Sequence, residues 1–327
     1  ENRTLAYYGL QKLNSEPCLG IQTILGLNKI DKELTITDVV FIIGPRINAA
    51  GRIDHGKQAV HLLTTEDAAE ATSIAKAINE NNDYRKDLDK DITAQALQMI
   101  EEDSFFQSSK STVVFQSDWH KGVIGIVASR LIEQHYNPTI VLCESEGYAT
   151  GSARSVKGYN VYEAIETCSD LLEQFGGHKY AAGLKLKTEN VDKFREKFEQ
   201  SVTASNEEQH LTPIVEIDDD IELKEITPKF LRILQQLAPF GPQNMKPIFR
   251  TKNLKDSGYA KIVGTDHLKL TVYQDGRPNV RFPAIAFGQG HQIDRIKSGE
   301  PFEMCFTIEE NHWNGNVTTQ LNVKDIK

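Results

Sequence analysis

Apolar positions near the N-terminus recur at helical spacing. Leu5, Tyr8, Gly9 and Leu13 predict one amphipathic helix, closed by the region of Pro17 and Gly20. Residues 1–63 otherwise read as helical and irregular. A longer pattern follows: Thr64 or Thr65 can cap a helix with acidic residues in its first turn, where the dipole favours them. No Pro or Gly interrupts that helix before about Glu102. Ile74, Ile78, Asn81, Arg85, Leu88, Ile92, Gln95 and Met99 alternate steps of four and three residues and predict one narrow seam. The seam turns polar at Asn81 and Arg85, which face either a ligand channel or a buried interdomain hydrogen bond. A helix this long with so narrow a stripe predicts a bridge between domains.

From Ser111 the pattern shortens. Val113–Gln116, Thr139–Cys143 and Leu184–Leu186 read as strands, and 123–135, 160–174 and 189–203 as helices, which together predict a compact α/β unit. The polar run Ser205-Asn206-Glu207-Glu208-Gln209 reads as a linker. Beyond it come short strand-like runs at 215–218, 247–250, 259–263, 268–273, 280–287, 302–309 and 317–323, with one helix near 228–237. Asn314-Gly315 between two such runs is a hairpin signal. Short strands and one helix suit a small barrel such as an OB-fold.

Composition changes this picture little, but charge changes it more. No apolar run reaches bilayer length, so no membrane is expected. Cys18, Cys143, Cys168 and Cys305 show no C-x-x-C pair, which signals neither zinc nor disulfides and fits a reducing cytoplasm. The net charge of −9 hides two blocks. Residues 65–103 hold eleven Asp/Glu against four Lys/Arg, whereas 229–282 hold ten Lys/Arg against three Asp/Glu. The second block can track a phosphate backbone. Within it Phe240, Phe249, Tyr259, Tyr273 and Phe282 lie among Lys246, Arg250, Lys252, Lys255, Lys261, Lys269 and Arg281. Stacking platforms with cationic flanks serve single-strand binding, although a small barrel needs most of its aromatics in the core.

Four stretches carry candidate chemistry. Gly176-Gly177-His178-Lys179-Tyr180-Ala181-Ala182-Gly183 lets backbone approach a ligand beside a histidine, or forms a glycine turn around a packed histidine. Ser152-Ala153-Arg154-Ser155 reads as a glycine-led turn whose guanidinium and hydroxyls suit phosphate, in preference to an Arg paired with an acidic neighbour. His120-Lys121-Gly122 precedes a helix whose N-terminus is an anion site in principle, or forms a turn that shapes the fold. In Phe41–Arg52 an apolar run meets a Gly-Pro break. Arg46 and Arg52 then flank a small-residue turn, reaching a channel between domains or pairing with local carboxylates.

Taken in order, several segments resemble the RecJ-type single-strand-specific DNA exonucleases. Residues 43–52 resemble that family's signature at the end of its first domain. Residues 119–130, Gly151-Ser152-Ala153-Arg154-Ser155 and Gly176-Gly177-His178 resemble motifs of its DHHA1 domain. Pro239-Phe240-Gly241, His267–Leu270 and Trp313–Gly315 followed by Gln320-Leu321 resemble its OB-fold. The resemblance implies an α/β DHHA1 domain (105–204) and an all-β OB-fold barrel (210–327), joined to a helical DHH-domain remnant (1–63) by a long helix (64–104).

The departure from the family is equally specific. No Asp-His-His occurs, Asp54-His55 and Asp266-His267 fall in the wrong contexts, and Asp218-Asp219-Asp220 reads as a solvated turn. The start at Glu1-Asn2-Arg3, with no Met and no leader, resembles the segment after the last metal-binding aspartate, so the chain is expected to be a fragment. A two-metal site needs ions about 4 Å apart held by several carboxylates. Mn²⁺ or Mg²⁺ is therefore expected in the full-length parent and no cofactor in this chain.

The resemblance implies that Ser152 and Arg154 contact a 5′ phosphate, and that His178 lies by the scissile or adjacent phosphate as a hydrogen-bond donor or assisting residue. Arg46, Arg52, His120, Gly176, Gly177, Lys252 and Lys255 complete the expected DNA-binding set. The implied function is the DNA-binding portion of a 5′-to-3′ single-stranded-DNA exonuclease of repair and recombination. A monomer is expected, with single-stranded DNA as ligand and a single-strand-binding protein or helicase as candidate partner. The rival class is an oligonucleotide or cyclic-dinucleotide phosphodiesterase, which usually lacks the barrel and the long helix. A third, a pure interaction scaffold, predicts no DNA affinity.

Overall fold

A computed structural model describes residues 1–205, 212–313 and 316–327. The expected Asn314-Gly315 turn and the linker after Ser205 lie outside them. Lys12–Pro213 form one unit, and Ile214–Lys327 with Glu1–Gln11 form a second. Among the described residues no helix is long and apolar enough to cross a membrane.

Helix α1 (Asn2–Ser15) forms as its spacing predicts but buries none of its residues, and Leu5 and Tyr8 are exposed. After it come α2 (Leu19–Leu27), α3 (Ile36–Asp38) and a π-helical turn (Val39–Ile43) that runs directly into α4 (Gly44–Ile53). The expected break at Gly44-Pro45 is thus the point where the π turn passes into α4. The Gly44 N–H reaches back to the Val39 carbonyl, and Pro45, which has no N–H to place, sits in the first turn of α4. Ala49 and Ala50, fully buried, let α4 pack closely on its neighbours.

Helix α5 (Lys57–Thr64) absorbs the expected capping residue Thr64. The long helix α6 (Ala68–Glu102) starts instead at Asp67, whose side chain accepts the Glu70 N–H. Its buried stripe is Ala71, Ala75, Ile78, Asn82, Asp89, Ile92, Ala96 and Ile100. The expected seam followed the largest apolar side chains. The real one follows the small alanines that admit close helix contact, and it centres on Asn82 and Asp89 rather than Asn81.

After α7 (Ser104–Ser108) comes a five-stranded sheet. Its strands are β1 (Thr112–Phe115), β2 (Thr139–Ser145), β3 (Tyr148–Arg154), β4 (Leu172–His178) and β5 (Ala181–Leu186). The order is β1-β2-β3-β5-β4, with β1–β2 parallel and the other pairs antiparallel. Helices α9 (Val161–Glu166) and α10 (Val191–Ser205) cover one face. There Ala149, Ala153, Leu184, Phe194 and Phe198 are buried, each large side chain contributing about 2 kcal/mol. On the other face, α6 and α8 (Ile124–Gln134) cover β1 and β2 through Ile92, Val114, Val127, Val141 and Cys143.

Two expectations are corrected here. The predicted helix 160–174 stops at Glu166, because Leu172–His178 pair with β5 instead. Gly151–Arg154 form the end of strand β3 rather than a turn.

The second unit contains β6 (Asp219–Asp220), α11 (Pro228–Gln236), β7 (Phe249–Asp256), β8 (Lys261–Val263), β9 (His267–Gln274) and β10 (Arg277–Ala286). It continues with α12 (Ile293–Lys297), β11 (Phe302–Trp313) and β12 (Asn316–Ile326). The order β7-β11-β12-β10-β9, closed by β9–β7 pairing, makes a five-stranded barrel with β10 and β12 parallel. That is the partly open Greek-key closure of an OB-fold. Asp218–Asp220 are exposed but do not form a turn: Asp219–Asp220 pair with β7. The Asp218 carboxylate accepts the Ile248 N–H at 2.8 Å, and Asp220 takes both arms of Arg250 at 2.7 and 2.8 Å.

Candidate nucleic-acid interface

Strand register assembles the site. Ser152 on β3 lies opposite Gly183 on β5, which lies opposite Gly176 on β4. Arg154 lies opposite Ala181, which lies opposite His178. Positions in register share a face, and alternation places Ala153, Ala182 and Gly177 on the other one. Two strand spacings separate β3 from β4, so Arg154 and His178 flank a floor roughly 10 Å wide. Only Ala181 and two glycines occupy the middle of that floor. Gly176, Gly177 and His178 are all exposed on the sheet's edge strand. The His178 Nδ1 accepts the Tyr180 N–H at 3.3 Å, which leaves Nε2 for a ligand.

Helix α8 brings its first turn to the same floor. A Cβ on Gly125 would stand 2.8 Å from the Arg154 guanidinium and 2.9 Å from the Ser152 hydroxyl. No side chain caps this helix; the Ile126 and Val127 N–H groups donate to the Val123 carbonyl at 2.8 and 3.1 Å, which leaves the Ile124 and Gly125 N–H groups as the orphan donors of the first turn. Just upstream the His120 Nδ1 accepts the Gly122 N–H at 3.0 Å, so the histidine shapes the turn. Gly122 in turn admits α4: a Cβ there would lie 2.2 Å from the Arg52 carbonyl oxygen. The Arg52 guanidinium donates to the Gly122 carbonyl at 3.1 Å.

Arg154 donates to Ser152 Oγ at 3.0 Å and to the Ala153 carbonyl at 2.7 Å. Burial, and then the nearby Arg52 charge, pull its guanidinium below the ordinary arginine range. Among the described residues no carboxylate lies within 4 Å of it. Two cations beside a helix start without a side-chain cap, and with no carboxylate paired to them among the described residues, can hold an anion.

Not every expected residue joins this cluster. Arg46 donates to Asn79 at 2.7 Å, to the Ile42 carbonyl at 2.7 Å and to Asn28, so it ties α2, α4 and α6 together. Burial lowers its pKa, partly offset by Asp83. Asn81 is half-buried on α6, and Arg85 sits 3.7 Å from Asp89. Lys252 and Lys255 belong to the barrel unit and face Asp220 at 3.6 Å and Asp275 at 3.3 Å.

Gly125, Ala181 and Gly183 lay inside stretches that the sequence singled out, but their individual places on this floor had no signal beyond small size. Sequence reasoning passed over Asp89, one of several aspartates in a charge-rich helix. Asp89 is 2 % exposed and takes the Arg130 fork at 2.8 and 2.9 Å, which fastens α8 to α6.

Comparison with known families agrees with this architecture. The DHHA1 domain profile matches residues 108–204, and the RecJ OB domain profile matches residues 217–325. Both profiles fall on the domains that the RecJ resemblance implies. It is 34% identical over 329 residues to the single-stranded-DNA-specific exonuclease RecJ of Bacillus subtilis, covering 99% of this chain and 41% of that protein. The RecJ of Haemophilus influenzae is 29% identical over 337 residues, covering 100% of this chain and 58% of that protein.

Among solved structures, RecJ of Thermus thermophilus in complex with Mg²⁺ superposes with a TM-score of 0.83 at 27% identity. The match covers 100% of this chain and 49% of that one. A manganese-bound RecJ exonuclease gives a TM-score of 0.54 at 30% identity over 62% of this chain and 50% of that one. The chain thus spans about half the length of the RecJ relatives it matches.

Proposed function

We propose that this chain grips the 5′ end of single-stranded DNA and positions it for a longer protein that hydrolyses the strand 5′ to 3′ in repair and recombination. The observation that carries the reading is the Arg52–Arg154 pair, two guanidiniums near a helix start without a described carboxylate partner. A terminal phosphate is a dianion, and Arg offers it a bidentate fork. Ser152, the α8 amides and His178 Nε2 supply further donors around the same floor. The barrel favours a polymeric strand over a cyclic dinucleotide.

Divalent ions belong to this reading only as part of the longer protein. Relatives have been solved with Mg²⁺ and with Mn²⁺. Among the described residues of this chain no group of three or more His, Cys, Asp or Glu is placed to hold a metal. In this reading the carboxylates of a two-ion centre are supplied by the longer protein. The residues of this chain bind, orient and exclude water.

Fluorescence anisotropy with 5′-phosphorylated and 5′-hydroxyl oligothymidylates tests the end site. The wild-type chain prefers the phosphate, and Arg154→Ala loses that preference by about 10-fold, the scale of a charge-assisted contact. Arg154→Lys recovers only part, because it keeps the charge without the fork. Equal affinity of the wild type for both ends overturns the assignment. Incubated alone with Mn²⁺ and labelled single strands, this chain leaves them intact. Digestion abolished by a substitution within residues 1–327 would place the ions here after all.

A further inference from the structure

Residues of α9, α10 and the β4–β5 turn line a polar recess that the end site does not use. The chain leaves β3 at Arg154, loops through Gly158 and Asn160, and enters α9 at Val161. This loop is stitched to the turn. The Ser155 N–H donates to the Tyr180 carbonyl at 3.1 Å, and the Val161 N–H to the Lys179 carbonyl at 3.0 Å. The Ser155 hydroxyl fixes the loop from within, donating to the Tyr159 carbonyl at 3.0 Å. The open cavity beside it holds about 500 Å³.

Opposite charges line this cavity without meeting. Glu163 on α9 and Lys179 in the turn are both exposed, and neither has an ion-pair partner within 4 Å among the described residues. The Lys179 ammonium stands over the Tyr180 ring, 5.5 Å from its centroid. Asn160 is half-buried, and its Oδ1 is sealed from solvent with no donor among the described residues. Such an oxygen is costly unless a ligand supplies the donor. Rotation about χ2 can turn it into the cavity that Asn160 lines.

Another part of the lining is hydroxylic. Ser205 donates to the Ser201 carbonyl at 2.6 Å, so the Tyr159 hydroxyl, 3.0 Å from Ser205 Oγ, is the donor of that pair. The Ser201 hydroxyl lines the same space. A cavity of this volume and mixed charge suits a nucleotide-sized ligand rather than a single ion.

We propose that this cavity binds a nucleoside monophosphate, and 2′-deoxyguanosine 5′-monophosphate best. Lys179 takes the phosphate, the hydroxyls take the sugar, and Glu163 with Asn160 takes the edge of the base. Guanine presents two adjacent donors, N1–H and the N2 amino group, which a carboxylate accepts together. Thymine presents a single N–H. The choice of a nucleotide rests on the exonuclease reading above, because hydrolysis from a 5′-phosphorylated end liberates nucleoside monophosphates. The cavity itself uses residues separate from the end site. Lys179 follows His178 directly, so a bound nucleotide holds the turn that presents His178 to the strand and couples the two sites.

Isothermal titration of this chain tests the site. Wild type binds 2′-deoxyguanosine 5′-monophosphate about 5-fold more tightly than thymidine monophosphate, the worth of one net hydrogen bond. It also binds it more tightly than deoxyguanosine or inorganic phosphate. Lys179→Ala removes the advantage of the monophosphate over the nucleoside, and Glu163→Ala removes the advantage of guanine over thymine. Each leaves the other preference in place, and both change exposed side chains, so the fold is kept. The nucleotide also slows amide exchange at Val161, Lys179 and Tyr180, in wild type and in Arg154→Ala alike.

Monophosphate binding that is lost in Arg154→Ala but kept in both cavity variants places the nucleotide in the end site and overturns the proposal. A wild type that binds no monophosphate, or does not tell guanine from thymine, overturns it too. A wild type that binds the nucleotide through Glu163 and Lys179 but treats 5′-phosphate and 5′-hydroxyl strands alike upholds this site and rejects the end site instead.

Discussion

Replacing Asp89 by alanine lowers the melting temperature of the Lys12–Pro213 unit by roughly 10 °C, from a loss of about 3 kcal/mol. The Asp89 side chain is 3% exposed and is the shared acceptor of two guanidiniums, Arg130 in a fork and Arg85 at 3.7 Å. Removing it leaves Arg85, itself only 13% exposed, with an unpaired charge and a buried Nε that already lacks a partner. Arg130 is half exposed and can rehydrate, which keeps the loss at the lower end for a broken buried pair. Hydrogen bonding to Asp89 raises the Arg130 pKa, as expected of a cation held by its carboxylate. Asp89→Asn keeps the shape and one acceptor and should cost less than half as much. Scanning calorimetry that resolves the two units is the measurement. A shift below about 2 °C for the alanine variant would mean that α6 and α8 are held by apolar packing alone.

The second large effect separates two adjacent glycines. Gly177→Ala destabilises the edge of the sheet by about 2–3 kcal/mol, whereas Gly176→Ala is close to neutral. At Gly177 φ is +154°, and a Cβ would lie 2.4 Å from the Ala181 carbonyl oxygen and 2.5 Å from the Ala182 Cα. Backbone atoms cannot swing aside as a side-chain tip can, so β4 must part from β5. At Gly176 nothing stands within 4 Å of the added methyl. Because β4 is an edge strand, local opening limits the cost, and amide exchange in Leu172–His178 rises before the whole unit melts. The same opening carries His178 away from Arg154, so Gly177→Ala also loses the 5′-phosphate preference. Equal exchange rates in the two variants would contradict the strand register itself.

Much of the architecture was legible from local pattern. The long helix was visible because no Pro or Gly interrupts a stretch of more than thirty residues, and α6 ends at Glu102 as expected. The barrel strands were visible because a half-buried strand alternates at a period of two, which needs no knowledge of its partner. Motif order was legible too, and the DHHA1 and OB domains it implied are the two whose profiles match. Where local reading failed, a long-range pairing had outweighed propensity. Leu172–His178 could have extended α9, but their hydrogen bonds to β5 make them a strand. Asp218–Asp220 look like a solvated turn until Ile248 and Arg250 arrive from thirty residues away.

The functional site divides along the same line. Residue types by themselves marked Ser152–Arg154 and Gly176–His178 as candidate ligand stretches, the family resemblance implied their shared phosphate, and the charge count made residues 229–282 basic. Only tertiary structure decided which charges remain available. Arg46 and Arg154 are the same side chain in similar small-residue surroundings. Yet Asn79, thirty-three residues from Arg46, commits one guanidinium to the framework, while the other meets a helix start and a second cation. Lys252 and Lys261 are alike in sequence as well, but Asp220 folds back onto the first, whereas the second lies opposite Lys269 with no carboxylate paired to it among the described residues. A charge is free or spent according to what lies within about 4 Å of it, and the chain brings those neighbours together only through contacts that no periodicity encodes.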